Sequence, residues 1–177
     1  MTRQGAAFWL TGLPGSGKTA LALAAKSEIP GLVLLQMDEM RRLVTPKPTY
    51  SDEERDHLYL GLVYTAIVLS REGHDVVIDA TANMRRWRDE ARARIKNFHE
   101  IYIKCPIETC REREMSRMDS LAPKGIYKKA DEGWPVPGVN APYEEPLAPE
   151  LVIENDCLTL EDASKKLVGY IKGALGR

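Results

Sequence analysis

The chain has 177 residues, 44% of them hydrophobic, and a formal net charge of −1 at pH 7. This length predicts one compact domain spanning residues 1–177, and the balanced charge gives no reason to expect nucleic acid or an anionic membrane as a partner. No run of about 18 apolar residues is present, so no membrane span is expected. The short apolar run at residues 6–10 is interpreted as a strand rather than a signal peptide.

The cysteines give no sign of a metal site or a redox motif. Cys105, Cys110 and Cys157 form no CxxC pair and have no histidine nearby at zinc spacing. We expect three buried thiols in a reducing cytoplasm, where the protein would be located.

Apolar segments alternate with segments of helical periodicity in the first half of the chain. Strands are predicted at residues 6–11, 32–37 and 75–79, and helices at residues 18–28, 38–43 and 51–71. Ser51 has the pattern of an N-cap, and Glu54 stands at the third helical position, as in a capping box. The second strand is apolar throughout, which is typical of a strand covered on both faces.

The second half continues the alternation and then interrupts it. A charged helix is predicted at residues 84–97, a strand at 100–104 and a helix at 106–118. Residues 119–149 are rich in proline and show little periodicity, so we interpret them as a functional loop or lid. A strand at 151–153 and a helix at 160–175 close the chain.

This order of elements predicts an α/β fold with a five-stranded parallel sheet and helices on both faces. Ligands of such sheets bind at the carboxyl ends of the strands. Three features are expected there: the glycine-rich loop after the first strand, Asp38 after the second and Asp79 at the end of the third.

The glycine-rich loop matches the pattern G-x-x-x-x-G-K-[ST] in full. Glycines allow consecutive backbone N–H groups to face phosphate oxygens, and the helix that follows adds its dipole. The lysine of such a loop reaches the β- and γ-phosphates of ATP, and the threonine offers its hydroxyl to Mg²⁺. The loop comprises Gly12, Leu13, Pro14, Gly15, Ser16, Gly17, Lys18 and Thr19.

The remaining sequence narrows the class of P-loop protein. The N-K-x-D motif with which GTPases read their base is missing, and motor ATPases and helicases are usually larger. A short chain with a proline-rich lid is typical of a small-molecule kinase, in which the lid closes over ATP and excludes water.

Four stretches of the chain resemble the adenylylsulfate kinase family of P-loop kinases. They are residues 8–12 before the loop, the arginine-rich residues 85–92, the Pro-Lys-Gly-Ile-Tyr-Lys-Lys-Ala element at 123–130, and residues 138–144 with 149–153. The resemblance implies a P-loop kinase that uses ATP and Mg²⁺ to phosphorylate the 3′-hydroxyl of adenosine 5′-phosphosulfate in sulfate assimilation. It also implies a homodimer.

The departures from the family pattern lie on the acceptor side. The family's Asp-Gly-Asp-Asn motif with its following arginine keeps its second aspartate as Asp38 and its arginine as Arg41, but its first aspartate is Gln36. In the next motif Arg55 is kept, whereas the family's asparagine is Leu58. The lid phenylalanine that stacks on adenine in the family is Val136 or absent, and Trp134 offers a replacement ring. The third strand ends in Ile-Asp-Ala-Thr, as in polynucleotide and sugar kinases.

Several site residues have a structural alternative. Asp38 can accept the acceptor's proton or hold magnesium-bound water, but it can also be a helix N-cap. Asp79 can serve Mg²⁺ or cap a turn. Arg41 and Arg55 can bind an anion through two hydrogen bonds each or lie on the surface. Lys124, Lys128 and Lys129 form a positive cluster for phosphates or a solvated loop. Arg113 and Arg117 lie four apart on one helix face leading into the lid.

The site expected from these patterns and from the resemblance has four parts. The catalytic residues are Lys18, Asp38 and Asp79, and the metal is held by Thr19 and Asp38. ATP is bound by Gly12, Leu13, Pro14, Gly15, Ser16, Gly17, Lys18, Thr19, Arg113 and Arg117. The acceptor is bound by Asp38, Arg41, Arg55, Lys124, Ile126, Tyr127, Lys128 and Trp134.

Three functions remain open at this point. The first is an adenylylsulfate kinase, and the second is a kinase on the same scaffold with another nucleotide-like or phosphorylated small acceptor, favoured by Gln36, Leu58 and the altered lid. The third is a non-catalytic nucleotide-binding regulator. The presence of Lys18, Thr19 and Asp38 argues against that third function, since a module that had lost catalysis would be expected to lose one of them.

Overall fold

The structure, a computed structural model, describes residues 3–116 and 125–177. The described residues form a parallel sheet of five strands: β1 (Ala7–Thr11), β2 (Val33–Gln36), β3 (Val76–Asp79), β4 (Phe98–Lys104) and β5 (Leu151–Glu154). Their order across the sheet is β2-β3-β1-β4-β5. The helices are α1 (Lys18–Glu28), α2 (Met37–Val44), α3 (Asp52–Arg71), α4 (Arg85–Arg94), α5 (Ile107–Ser116), α6 (Ile126–Asp131) and α7 (Leu160–Ala174).

Helices cover both faces of the sheet, and β1 shows why. All five of its residues are buried, and successive side chains of a strand point to opposite faces. Phe8 and Leu10 join the core cluster of α1 and α7. Ala7 and Trp9 join the cluster of α3 and α4. The α/β fold with helices on both faces is therefore confirmed.

The two edge strands are less buried than the centre. Val33, Leu34 and Leu35 of β2 are half-buried, and only one residue of β5, Ile153, is fully buried. Val33 and Leu35 pack against one core cluster and Leu34 against the other, so the prediction that the second strand is covered on both faces is confirmed. Its residues are only half-buried because β2 has a neighbour on one side only.

Helix boundaries follow their capping signals. Helix α1 spans the predicted residues, and the Ser51 hydroxyl accepts a hydrogen bond from Glu54 N at the start of α3. The predicted helix 84–97 is shorter, ending at Arg94. Ile95 turns to an extended conformation, and β4 begins at Phe98 because both side chains enter the core.

The proline-rich segment contains more structure than its sequence suggests. Helix α6 begins after Gly125, and Tyr127, Ala130 and Val136 pack with Cys105 and Cys110 in a third buried cluster. The expectation of an irregular loop across 119–149 is thus wrong for residues 126–131.

The structure tests the expected burial of the three cysteines. Cys105 and Cys110 are buried free thiols, but Cys157 is exposed, so its predicted burial is wrong. Within residues 3–116 and 125–177, no helix is long and apolar enough to cross a membrane.

Candidate active site

The glycine-rich loop connects the carboxyl end of β1 to the first turn of α1, at the edge of the sheet where ligands are expected. Lys18 is the first residue of α1 and is only 7% exposed. Its Nζ donates to the carbonyl oxygens of Gly12 and Leu13, at 3.0 and 2.9 Å. The lysine thus folds back over the loop, with its charge at the loop's centre.

Two glycines of the loop are required by their surroundings. Gly15 and Gly17 have φ of 82° and 100°, which side chains rarely adopt. A Cβ on Gly15 would lie 2.4 Å from the Cys110 carbonyl oxygen, and a Cβ on Gly17 would lie 2.4 Å from Nδ2 of Asn155. The loop is therefore packed tightly from behind, and neither position has room for a side chain.

A cavity of about 540 Å³ opens beside the loop. It brings together the donor-side and acceptor-side segments predicted from the sequence, although they lie far apart in the chain. The predicted site residues that line it are Pro14, Gly15, Gly17, Lys18, Thr19, Asp38, Asp79, Arg41, Arg55, Arg113, Ile126 and Trp134.

The other predicted residues lie elsewhere. Gly12, Leu13 and Ser16 belong to the loop but do not line the cavity, and Lys128 is exposed outside it. Tyr127 is buried behind the loop, where its hydroxyl donates to the Pro14 carbonyl oxygen at 2.7 Å. Arg117 and Lys124 lie outside the described residues.

Asp38 lies on α2 and faces the cavity. It stands in the first helical turn and is half-buried, while Gln36 is the N-cap residue. The alternative that Asp38 is the N-cap is therefore wrong. A carboxylate at this place stabilises the positive end of the helix dipole and also faces the lysine-bearing cavity.

Asp79 ends β3 and is buried at the cavity wall. Its register partner on the neighbouring strand is Gln36, whose Nε2 donates to Asp79 Oδ2 at 3.2 Å. An amide opposite a carboxylate can donate a hydrogen bond, whereas a second carboxylate would repel it. The replacement of the family's first aspartate by Gln36 thus fits the presence of Asp79.

Arg41 belongs to a cluster between α2 and α3. Its Nη1 lies 2.7 Å from Glu54 Oε1, and its guanidinium lies over the Tyr50 ring, 4.9 Å from the ring centre. Burial would raise the pKa of Glu54, but hydrogen bonds from Thr49 and Tyr50 and the Arg41 charge hold that pKa below its usual value. Tyr50 has a φ of 57°, which is rare for a bulky residue, so the cluster holds its ring in a strained backbone position.

Arg55 and Trp134 form the facing wall. Arg55 is 8% exposed, and its Nη2 donates to the Pro135 carbonyl oxygen at 2.7 Å, which ties α3 to the segment after α6. Trp134 is 38% exposed and meets Tyr50 edge to face at 5.0 Å. Lys129 Nζ lies 5.0 Å from the Trp134 ring centre. Two flat rings and three cations therefore surround one side of the cavity.

Sequence reasoning missed several residues of this cavity. Tyr50 directly precedes the predicted N-cap Ser51 and belongs to none of the four stretches that carried the family resemblance. Lys129 lies in one of them, residues 123–130, and was already predicted as part of a positive cluster. Tyr59 and Asn83 had no signal, because they reach the cavity only through the packing of α3 against β3. Burial raises the pKa of both Tyr50 and Tyr59, so their hydroxyls are neutral at physiological pH.

The segment that follows α6 is anchored to the sheet next to the cavity. Asn83 Nδ2 donates to the Pro142 carbonyl oxygen at 2.9 Å, and Tyr143 OH lies 3.0 Å from Thr11 Oγ1. The buried Arg88 bonds both Glu100, at 2.7 Å, and the backbone of Glu144. These contacts fix the far end of the proposed lid.

A phosphate loop on a five-stranded parallel sheet, opening into a cavity with aspartates and arginines, defines a P-loop kinase. The sequence matches the Adenylylsulphate kinase family over residues 4–154. The chain is also 35% identical over 173 residues to an adenylyl-sulfate kinase of Rippkaea orientalis, covering 94% of this chain and 91% of that protein. The chain therefore belongs to the adenylylsulfate kinase family, and it is an ATP-dependent phosphotransferase.

Solved structures agree with this fold. The Mycobacterium tuberculosis APS kinase CysC, in complex with AMPPNP and APS, gives a TM-score of 0.81 at 24% identity and covers 96% of this chain and 98% of its own. A sugar kinase from Janibacter gives a TM-score of 0.67 at 20% identity, and the match covers 97% of this chain and 95% of that kinase. Likenesses at these identities support the fold alone, and that fold is shared by kinases with different acceptors.

Proposed function

We propose that this protein transfers the γ-phosphate of ATP to the 3′-hydroxyl of adenosine 5′-phosphosulfate, a reaction of sulfate assimilation. One observation carries the proposal: a single cavity joins the phosphate loop to Asp38, Arg41 and Arg55. Family membership supplies the acceptor, and these residues match positions of the family motifs.

The donor half of the site binds the triphosphate. Backbone N–H groups of the loop and the N-terminus of α1 face the phosphate oxygens, and Lys18 leaves the carbonyls of Gly12 and Leu13 to contact the β- and γ-phosphates. Arg113 lines the same cavity from α5 and adds positive charge on the donor side.

The oxygen donors of the cavity fit a magnesium ion. Thr19, Asp38 and Asp79 all line it, and Mg²⁺ binds proteins through one or two such oxygens while keeping waters and phosphate ligands. Among the described residues no group of three or more His, Cys, Asp or Glu side chains converges, as fits an ion held largely by ATP. Bound there, Mg²⁺ would neutralise charge on the β- and γ-phosphates.

Asp38 is proposed as the group that receives the proton. As the acceptor's 3′-oxygen bonds to the γ-phosphorus, the bond from that phosphorus to the β,γ-bridging oxygen breaks, ADP leaves and the hydroxyl proton passes to the Asp38 carboxylate. Arg41 and Arg55 bind the phosphosulfate. Tyr50 and Trp134 offer flat faces to the adenine.

The segment around α6 is proposed to act as the lid, within a single kinase domain spanning residues 1–177. Its described part contacts the loop through Tyr127 and the acceptor side through Pro135, so closure there would remove water from both halves. A homodimer and a cytoplasmic location, where ATP is supplied, complete the proposal.

A different acceptor remains the second candidate, and Leu58 is the reason. This residue is 2% exposed and packs in the core of α3 and α4, so it presents no polar group where the family has asparagine. The second candidate is therefore an acceptor that does not need this amide.

An acceptor screen separates these functions. The protein, Mg²⁺ and ATP are mixed with adenosine 5′-phosphosulfate, other nucleotides or sugars, and ADP release is measured. We expect the highest kcat/KM with adenosine 5′-phosphosulfate, and Trp134→Ala should raise its KM about tenfold while Trp134→Phe keeps most of the affinity. Turnover confined to another acceptor supports the second candidate. ATP binding without any turnover indicates a regulator.

A further inference from the structure

Asn155 lies behind the phosphate loop, immediately after β5, and belongs to none of the motifs described above. It is 5% exposed, and its Nδ2 donates to the Ser16 carbonyl oxygen at 2.7 Å. Its own backbone N–H donates to the Lys104 carbonyl oxygen at 2.8 Å, which fixes it to the end of β4. A buried amide held in this way can act on the loop without touching the nucleotide.

The hydrogen bond to Ser16 sets the direction of the next backbone donor. The Ser16–Gly17 peptide is trans, so its carbonyl and its N–H point to opposite sides of one plane. Because the carbonyl points back to Asn155, the Gly17 N–H points forward, to the cavity that Gly17 lines. The bond also polarises the peptide, which strengthens that N–H as a donor.

The Asn155 amide packs closely against the peptide that it holds. A Cβ on Gly17 would lie 2.4 Å from Asn155 Nδ2, so the side chain touches the loop at the residue that follows the peptide it holds. Ser16 Oγ, in contrast, is buried and has no hydrogen-bond partner within the described residues. The orientation of this part of the loop therefore depends on Asn155 rather than on the serine hydroxyl.

Asn155 also holds a second donor-side group. Its backbone carbonyl oxygen, which a substitution of the side chain would keep, accepts from Arg113 Nη2 at 2.7 Å, and Arg113 lines the cavity from α5. One residue thus links the phosphate loop, β4 and the donor-side arginine.

We propose that Asn155 is a positioning residue for the nucleotide's β-phosphate: its side-chain amide aims the Gly17 N–H at that group. The proposal depends on the proposed function in one respect only, namely that a nucleoside di- or triphosphate binds at the loop. It assigns Asn155 no contact with the nucleotide and no part in the transfer of the proton.

The test compares ADP with AMP, which lacks the β-phosphate, by calorimetry on the full chain. Three proteins are compared with the wild type: Asn155→Ala, the near-isosteric Asn155→Asp, and Asp156→Asn as a control at the adjacent exposed position. Thermal unfolding of each establishes that the measured sample is folded.

We expect Asn155→Ala to weaken ADP about tenfold and AMP less than twofold, since one aimed donor to a charged group is lost. The ADP affinity of Asn155→Asp should be lower still at pH 8, because its carboxylate then faces the Ser16 carbonyl oxygen. It should recover relative to the wild type as pH falls, because the protonated acid can donate. A merely structural role would weaken both nucleotides alike and show no such recovery.

Equal losses of ADP and AMP affinity, or none, in folded variants overturn the proposal. If both variants fail to fold, NMR of the wild type provides the test. The Gly17 amide resonance should shift on addition of ADP but not of AMP. Absence of that shift also overturns the proposal. If the wild type itself does not prefer ADP to AMP, the phosphate-loop assignment fails, which is a different result.

Discussion

The proposed donor and acceptor sides of the cavity are built in different ways. The donor side is a backbone structure, packed from behind by the Cys110 carbonyl at Gly15, by Asn155 at Ser16 and by the Tyr127 hydroxyl at Pro14. The acceptor side consists of side chains from α2, α3 and the segment after α6 that meet through pairs such as Arg41–Glu54 and Arg55–Pro135.

This difference explains where the chain departs from its family. A backbone cradle tolerates few replacements, because added atoms collide with neighbouring backbone. Side-chain pairs can be exchanged one at a time, and the departures at Gln36, Leu58 and Trp134 lie outside the loop, whose motif is complete. Changes on the two sides should therefore have separable effects on the two substrates.

The largest effect is expected from Lys18→Ala, which removes the cation at the centre of the loop. We expect the rate of transfer to fall about 10³-fold, because charge developing on the phosphates loses its main side-chain partner. Steady-state ADP release measures this, with Lys26→Ala on the exposed face of the same helix as control. A near-normal rate for the folded Lys18→Ala protein would show that the loop is not the donor site.

An intermediate effect is expected from Arg55→Ala on the acceptor side. Loss of a charged hydrogen-bond donor should raise the acceptor KM about 10- to 100-fold and leave the KM for ATP unchanged. Arg71→Ala, exposed at the end of the same helix, is the matched control. Equal changes in both KM values would contradict the separation of the two sides.

The smallest effect is expected from Glu54→Gln, measured as thermal stability against pH. The pKa of Glu54 is lowered in the folded protein, so its contribution is present above the ordinary value near 4.5 and is lost as pH falls through the folded pKa. The variant should melt about 2–4 °C lower at pH 7, and the difference should shrink as pH falls below that ordinary value.

Glu53→Gln, at an exposed neighbouring position, should show no such dependence on pH. A difference between Glu54→Gln and the wild type that stays constant from pH 7 to pH 3 would mean that the carboxylate does not hold Arg41 and the Thr49–Tyr50 turn.

Much of the fold follows from the sequence because its signals are local. The periodicity of α1, the cap at Ser51 and the alternation of strands and helices predict the elements and their arrangement in a parallel sheet. Helix α6 was missed because it has six residues and is stabilised by burial of Tyr127 and Ala130, and periodicity cannot report that in so short a segment.

The residues of the site likewise differ in how far the sequence could predict them. The loop residues come from one continuous motif, so their position at the cavity could be predicted. Tyr59 and Asn83 reach the cavity from separate elements. Asn155 follows β5 and meets the loop 139 residues earlier in the chain. Only the packed sheet brings these residues together, and a single sequence does not indicate contacts between residues so far apart in the chain.

The pairing of Gln36 with Asp79 has a consequence for the history of this chain. Two carboxylates at these register positions would repel each other across neighbouring strands, so a change at one position alters which residues the other can accept. The two positions should therefore be inherited as a unit. Relatives with aspartate at the end of β2 would be expected to carry a neutral residue at the end of β3. Each pair of strands would then keep a single negative charge, on one strand or on the other.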